Sequence, residues 1–88
     1  MANIKSAEKR IEQSAKQRNR NRAQRSRMRG AVRELREAVT AGDQAKAEDL
    51  LPETLKLVDA TAQKRVIHRN AASRTKSRLT RAVAQMQD

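Results

Sequence analysis

KQRNRNRAQRSRMRG, residues 16–30, is the stretch on which the reading of the fold turns. Six of the twelve residues from Arg18 to Arg29 are arginine, and the first large apolar residue is Met28. An arginine run this dense cannot bury itself. It needs a partner that supplies negative charge, or it stays a disordered tail.

Its surroundings decide between these. The whole chain has 88 residues and a formal net charge of +11, enough for at most one small domain. Residues 1–30 carry ten Lys/Arg against two Glu, residues 31–63 four against seven acids, and residues 64–88 seven against one. Two basic segments bracket an acidic one, which is not how a generic basic tail is built. Leu, Ile and Val make up 14 of 88 residues, and there is no Phe, Tyr or Trp. That share lies below the roughly 20% under which highly charged chains lean to disorder. Any core must therefore be built from small aliphatics, with 15 alanines among them, and its stability is expected to be marginal.

The pattern is helical. Gly30, Gly42 and Pro52 are the only Gly or Pro residues, and good helix formers dominate the rest. At 100° steps Met28, Val32, Leu35 and Val39 fall within about 60° of one another. TAGD, residues 40–43, reads as a helix stop at Gly42 followed by an N-cap at Asp43. A second stripe gathers Ala47, Leu51, Leu55, Val58 and Ala62. Pro52 lies inside it and removes one backbone donor, so a kink or short break is expected there. A third stripe gathers Ala72, Leu79, Val83 and Met86, after a turn at KRVI, residues 64–67. Three amphipathic stripes with short connections predict an all-α fold, an antiparallel three-helix bundle.

The first helix is too long for that bundle. From about Ser6 to Ala41 it would span roughly 54 Å. Between Glu12 and Arg27 its only apolar residues are Ala15 and Ala23, so this part has nothing to pack on and projects. The expected organisation is a single domain, with about 1–27 as a basic helical extension embedded in its partner and about 28–88 as the bundle.

Charge placement shows how the extension is used. Arg18, Arg22, Arg25 and Arg29 share one sector of about 60°, and Lys5, Lys9, Lys16, Arg20 and Arg27 share another, nearly opposite. A helix on one flat polyanion needs one basic face, whereas this helix fits between two phosphate surfaces. Five like-charge pairs, Lys16/Arg20, Arg18/Arg22, Arg22/Arg25, Arg25/Arg29 and Arg29/Arg33, oppose the free helix by about 1–2.5 kcal/mol in total. Phosphates reverse that sign.

Nucleic acid is the polyanion that fits. Arginine outnumbers lysine, and its planar fork suits bidentate phosphate contact. Single-strand readers stack bases on aromatic side chains, and none is present. Recognition of duplex backbone and shape fits better. A membrane-active helix would need an apolar face in its basic segment. A DNA-compacting chromosomal protein satisfies charge and helicity equally well. The opening MANIKSAEKR has no apolar run of a signal peptide, and no stretch of about 18 apolar residues occurs. Secretion by that route and membrane spanning are therefore not expected, and Glu8 and Glu12 argue against a mitochondrial targeting peptide. With one His and no Cys there is no metal constellation. Glu34/Glu37 and Glu48/Asp49 read as exposed helix carboxylates, Asp49 and Glu53 as a face turned from phosphate, and Met28 and Met86 as core fillers.

The opening MANIKSAEKR, the loop AGD at 41–43 and the segment IHRNAASRTKSRL at 67–79 resemble the bacterial small-subunit ribosomal protein number twenty family, end to end and in order. The resemblance implies an all-helical, non-catalytic protein, cytoplasmic and on the ribosome, that binds small-subunit ribosomal RNA directly and helps assembly. It implies few protein contacts, a single copy in the ribosome, and neither cofactor, membrane nor small-molecule substrate. Lys5, Ser6, Lys9 and Arg10 are the matching RNA-contact candidates at the start. His68, Asn70, Arg74, Lys76, Ser77 and Arg78 are those of the later segment, which Arg69 joins. His68 also falls near the Leu79 and Met86 stripe, so a packing role at the start of helix three stands equally open. Arg65 stands where the family usually has a glycine suited to a left-handed turn. Ala71 stands where it usually has a basic residue, and that contact is expected to be absent.

Overall fold

The computed structural model describes the backbone of residues 2–86 and the side chains of residues 6–86. It consists of three helices, α1 (Ala2–Thr40), α2 (Gln44–Gln63) and α3 (Arg69–Gln85), with no strand among the described residues. α2 packs against both neighbours, which touch each other least. The molecule measures 67 × 21 × 15 Å across its Cα atoms. The long dimension is α1 itself, whose 39 residues extend about 58 Å at the usual rise.

Two apolar clusters form the core. The first joins Leu35, Ala38, Ala47, Leu79 and Val83, flanked by Val39, Leu50, Leu51, Leu55 and Met86. The second, Met28, Val58 and Ala72, is flanked by Leu57, Ala62 and Ile67, and Val32 packs against both. Leu35, Leu79 and Val58 are the largest fully buried side chains, each worth roughly 1.5–3 kcal/mol. The three expected stripes are therefore the ones that meet. Beyond Met28, towards the N-terminus, α1 has no core residue among the described side chains.

Two threonines belong to this core as well. Thr54 and Thr61 are buried, and their hydroxyls donate to the Leu50 and Leu57 carbonyls at 2.8 and 2.7 Å. Bonding back one turn satisfies each hydroxyl within its own helix, so the pair packs with little polar penalty.

Of the kink or short break expected at Pro52, the break does not occur. α2 runs through it without interruption, and Pro52 is exposed on the solvent side. Leu50, Leu51 and Leu55, on both sides of the proline, pack against the same cluster. A break would pull one flank out of that cluster, and packing overrides the missing donor.

Both connections use one device. At the first, Gly42 takes φ 75°, its N–H donates to Val39 O at 3.1 Å, and Asp43 N–H donates to Ala38 O at 3.0 Å. At the second, Arg65 takes φ 61°, its N–H donates to Ala62 O at 2.9 Å, and Val66 N–H donates to Thr61 O at 3.1 Å. These paired bonds are Schellman closures, which satisfy the orphan carbonyls of a helix end through a left-handed residue. Asp43 then starts α2, accepting from Lys46 N–H at 3.2 Å. Arg65 thus holds the left-handed conformation without glycine, which for an L residue costs about 1–2 kcal/mol. His68 caps α3, its Nδ1 accepting from Asn70 N–H at 3.1 Å.

The two closures should respond oppositely to substitution. Gly42→Ala meets no atom within 4 Å of the new Cβ, so its penalty is conformational, about 1–2 kcal/mol. Arg65→Gly relieves the same strain but loosens the unfolded chain, leaving a net gain of about 0.5–1 kcal/mol. Thermal melts followed by circular dichroism should show Tm falling for the first and rising for the second. A fall for both would mean that the Arg65 side chain stabilises the turn.

Candidate nucleic-acid interface

The interface begins where the core stops. Every described residue of α1 from Ser6 to Arg20 is exposed, because no other element reaches alongside. The arm they form carries the basic residues expected of it. Between Glu12 and Glu34 lie eight cations and no carboxylate. Lys16, Arg18, Arg20, Arg22, Arg25, Arg27 and Arg29 are all exposed, and none has an ion pair or side-chain hydrogen bond within the described protein. An unbroken helix fixes their directions, so the Arg18/Arg22/Arg25/Arg29 row and the Lys9/Lys16/Arg20/Arg27 row stand on nearly opposite sides. Lys5 lies in the helix, but its side chain is outside the described residues. Ser6 and Arg10 are exposed on the arm. Ile11, 67% exposed, is the one large hydrophobic left to solvent among the described residues, and by angle it joins the Arg18/Arg22 row.

α3 presents a second basic surface. Asn70, Arg74, Ser77 and Arg78 are exposed on the side opposite Ala72, Leu79 and Val83. Arg81 shares this exposed face and was not among the expected contacts, although its spacing from Arg74 and Ser77 places it there. Arg69 is exposed in the first turn. Lys76 differs from the rest. Its Nζ lies 2.8 Å from Asp59 Oδ1 of α2, and its side chain is half-buried. This candidate is already paired, and an external anion would share its remaining N–H donors with Asp59.

His68 does not pack in the core, which corrects one of its two expected roles. It is exposed, and the imidazole is turned back on the helix it starts. A ring at the N-cap position must accept from the backbone, and here Nδ1 does so. Ala71 is half-buried and adds no charge to the α3 surface.

The arm and the bundle converge at one end of the molecule. The α2–α3 turn lies beside the root of the arm, and Lys64 faces Asn21 and Gln24 across an open concavity of about 780 Å³. Gln13, Lys16, Gln17 and Arg20 complete its arm side. The amides here were not among the expected site residues. Their signal was the spacing 13, 17, 21, 24, which continues the Met28/Val32/Leu35 stripe into the arm with amides in place of apolar groups. At the far end of the bundle, Arg78 shares a smaller groove, of about 200 Å³, with Arg36 of α1. Apart from Glu8 and Glu12 near its start, the described acids lie away from the arm. Glu34, Glu37, Glu48, Asp49 and Glu53 are exposed on the bundle, on α1 beyond Arg33 and on α2. The molecule is thus polarised, with cations on the arm and on α3 and carboxylates concentrated between them in sequence.

This architecture has known relatives. Residues 2–84 match the model of the family described as Ribosomal protein S20. The chain is 47% identical over 87 residues to the small ribosomal subunit protein bS20 of Burkholderia cenocepacia strain HI2424, covering 99% of this chain and 97% of the relative. The proteins of the same name from Burkholderia vietnamiensis strain G4 and Burkholderia multivorans strain ATCC 17616 match at the same identity and coverage. A full-length match of this kind, on three helices with a long basic first helix, shows that the chain belongs to the ribosomal protein S20 family.

Proposed function

We propose that the protein is a structural constituent of the small ribosomal subunit, and that it binds small-subunit ribosomal RNA directly and helps it assemble. The observation that carries this reading is the stretch of α1 between Glu12 and Glu34: eight cations without a carboxylate, arranged mostly on two opposite rows, with no ion pair among the described residues. Such a helix is complementary to two phosphate backbones that approach from either side. The relatives' names, which place them in the small ribosomal subunit, support the choice of RNA.

The arm contributes Lys9, Arg10, Lys16, Arg18, Arg20, Arg22, Arg25, Arg27 and Arg29, with Lys5 and Ser6 near its start. Arg69, Asn70, Arg74, Ser77 and Arg78 of α3 bind a further RNA segment, and His68 acts by ordering the first turn that presents them. Residues 1–27 are embedded in RNA, and residues 28–88 form the bundle that holds them in register. The protein works as a monomer on the ribosome, with small-subunit RNA as its partner and few protein contacts.

The mechanism is charge neutralisation on a scaffold. Each arginine that meets a phosphate releases condensed counterions and replaces a repulsive i,i+4 neighbour by a charge-assisted hydrogen bond. RNA segments that repel one another are thereby held close on either side of one helix, which is how such a protein would favour the folded RNA.

Competition binding tests the reading. At about 0.2 M salt, folded small-subunit RNA should outcompete duplex DNA of equal length, because A-form shape and 2′-hydroxyls are recognised. With about 6–10 phosphates engaged, log affinity against log salt should have a slope of roughly −5 to −9. Equal competition by DNA would favour a chromosomal, DNA-compacting role instead. A slope shallower than about −2 would mean that the basic rows are not the interface.

The arm's order should depend on its partner. No apolar contact offsets its like-charge pairs, and ordering costs roughly 1–2 kcal/mol per residue in backbone entropy. Amides 12–27 should therefore exchange with solvent quickly in free protein, while those around Leu35, Leu55 and Leu79 are protected. All should be protected in the RNA complex. Equal protection of 12–27 in free protein would show a preformed arm.

A further inference from the structure

The amide row on the arm is chemically distinct from the cations around it. Gln13, Gln17, Asn21 and Gln24 lie within about 80° of one another on the helix. They face the concavity of about 780 Å³ beside Lys64, and Asn21 and Gln24 are half-buried there. None of the four has a hydrogen-bond partner in the described protein. The two basic rows run along either side of this face.

Phosphate accepts hydrogen bonds and donates none, so it can use an amide's N–H groups but leaves its carbonyl unmatched. An amide offers two donors and an acceptor in a fixed plane. It matches a group that also does both, such as a ribose 2′-hydroxyl or a base edge. These are what the wide, shallow minor groove of A-form RNA displays, between two rows of phosphates. The opposite side of the arm gives the comparison. Its neutral positions, Ala15, Ala23, Ser26 and Gly30, are small apart from Asn19. Neutral spacing there needed no reach and no hydrogen bonding. On the concave side four of the five neutral positions carry amides, Ser14 at its edge being the exception.

We propose that this row is a minor-groove reading strip. Gln17, Asn21 and Gln24 bond to 2′-hydroxyls and base edges of one RNA duplex, while Lys16, Arg20 and Lys64 hold its flanking phosphates. The inference rests on the RNA-binding reading above and deepens it. The basic rows supply affinity for any polyanion, and the amide row supplies the preference for RNA over DNA.

The test is the full-length triple variant Gln17→Ala/Asn21→Ala/Gln24→Ala. Alanine is the best helix former, and circular dichroism and Tm should match the parent. Binding to folded small-subunit RNA at about 0.2 M salt should fall about 10- to 100-fold, as expected for a few lost hydrogen bonds. Binding to duplex DNA should stay within about threefold, so the RNA preference collapses while the salt slope is unchanged. Lys16→Gln/Arg20→Gln should act in the other way, weakening RNA and DNA alike and making the slope shallower by about 2. If the triple variant keeps the parent's RNA affinity within about threefold, or loses RNA and DNA in equal proportion, the strip does not read RNA. A parent protein that itself prefers neither nucleic acid would overturn the RNA-binding reading as well, so the two failures are told apart by the parent's own competition curve.

Discussion

A helix that carries eight cations and no carboxylate between Glu12 and Glu34 cannot be its own counterion. Every other feature of the molecule follows from that constraint. The arm has little to draw it back onto the bundle, because Ile11 is the one large hydrophobic it exposes among the described residues. Nor is it neutralised by the acids of the chain, since Glu8 and Glu12 lie before this stretch and Glu34, Glu37, Glu48, Asp49 and Glu53 sit exposed on the bundle. α1 therefore serves two environments along one axis. Its last third packs on aliphatics, and the rest awaits an external anion. Met28 is the point of change, the first core residue and the neighbour of two arginines.

The bundle has to anchor that arm with very little material. Without aromatic residues its largest fully buried side chains are Leu35, Leu79 and Val58, and alanines at 38, 47 and 72 let the helices approach closely. Thr54 and Thr61 extend the contact surface because their hydroxyls are satisfied by carbonyls one turn back. Short, well-closed connections matter more in such a core. Asp43 completes the closure of α1 and caps α2 with the same residue, and His68 caps α3 after the closure at Arg65. These turns set where the arm's root meets the α2–α3 connection, and so set the shape of the concavity beside Lys64.

Much of this was legible in the sequence, for physical reasons that can be named. The apolar stripes were readable because each helix has one buried face, and period 3.6 records it. Gly42 and Asp43 marked the first turn because each residue has a conformational or capping role that few others fill. The second turn carried no such mark: Arg65 adopts a glycine's conformation, and only the tertiary fit holds it there. Pro52 does not break α2 because a lost donor is a local effect, whereas Leu51 and Leu55 hold the helix from both sides. His68 was ambiguous by angle alone, since a cap residue lies outside the helix whose phase was used to place it. The ion pair of Lys76 with Asp59 joins two helices, and no spacing within either one encodes it. The basic rows were visible because like residues repeat. The amide row was not, because its positions follow the core stripe and amides usually mean only solvent.

That continuity between core stripe and amide row has a structural logic. A helix face that leaves a core must change from apolar contact to something compatible with water and with whatever else approaches. Further basic residues on that face, beside Lys16, Arg20 and Lys64, would add cation to cation where the arm and the bundle converge, and carboxylates would repel an external anion. Apolar residues would extend the core past its partners and expose a sticky face. Amides avoid both penalties. They tolerate the half-burial of Asn21 and Gln24, carry no charge to repel Lys64, and keep their donors and acceptors available. The elbow between arm and bundle is thus left uncharged at its floor and cationic at its walls. This division, with charge to hold backbones and neutral polar groups to face what lies between them, mirrors the layout of an RNA minor groove.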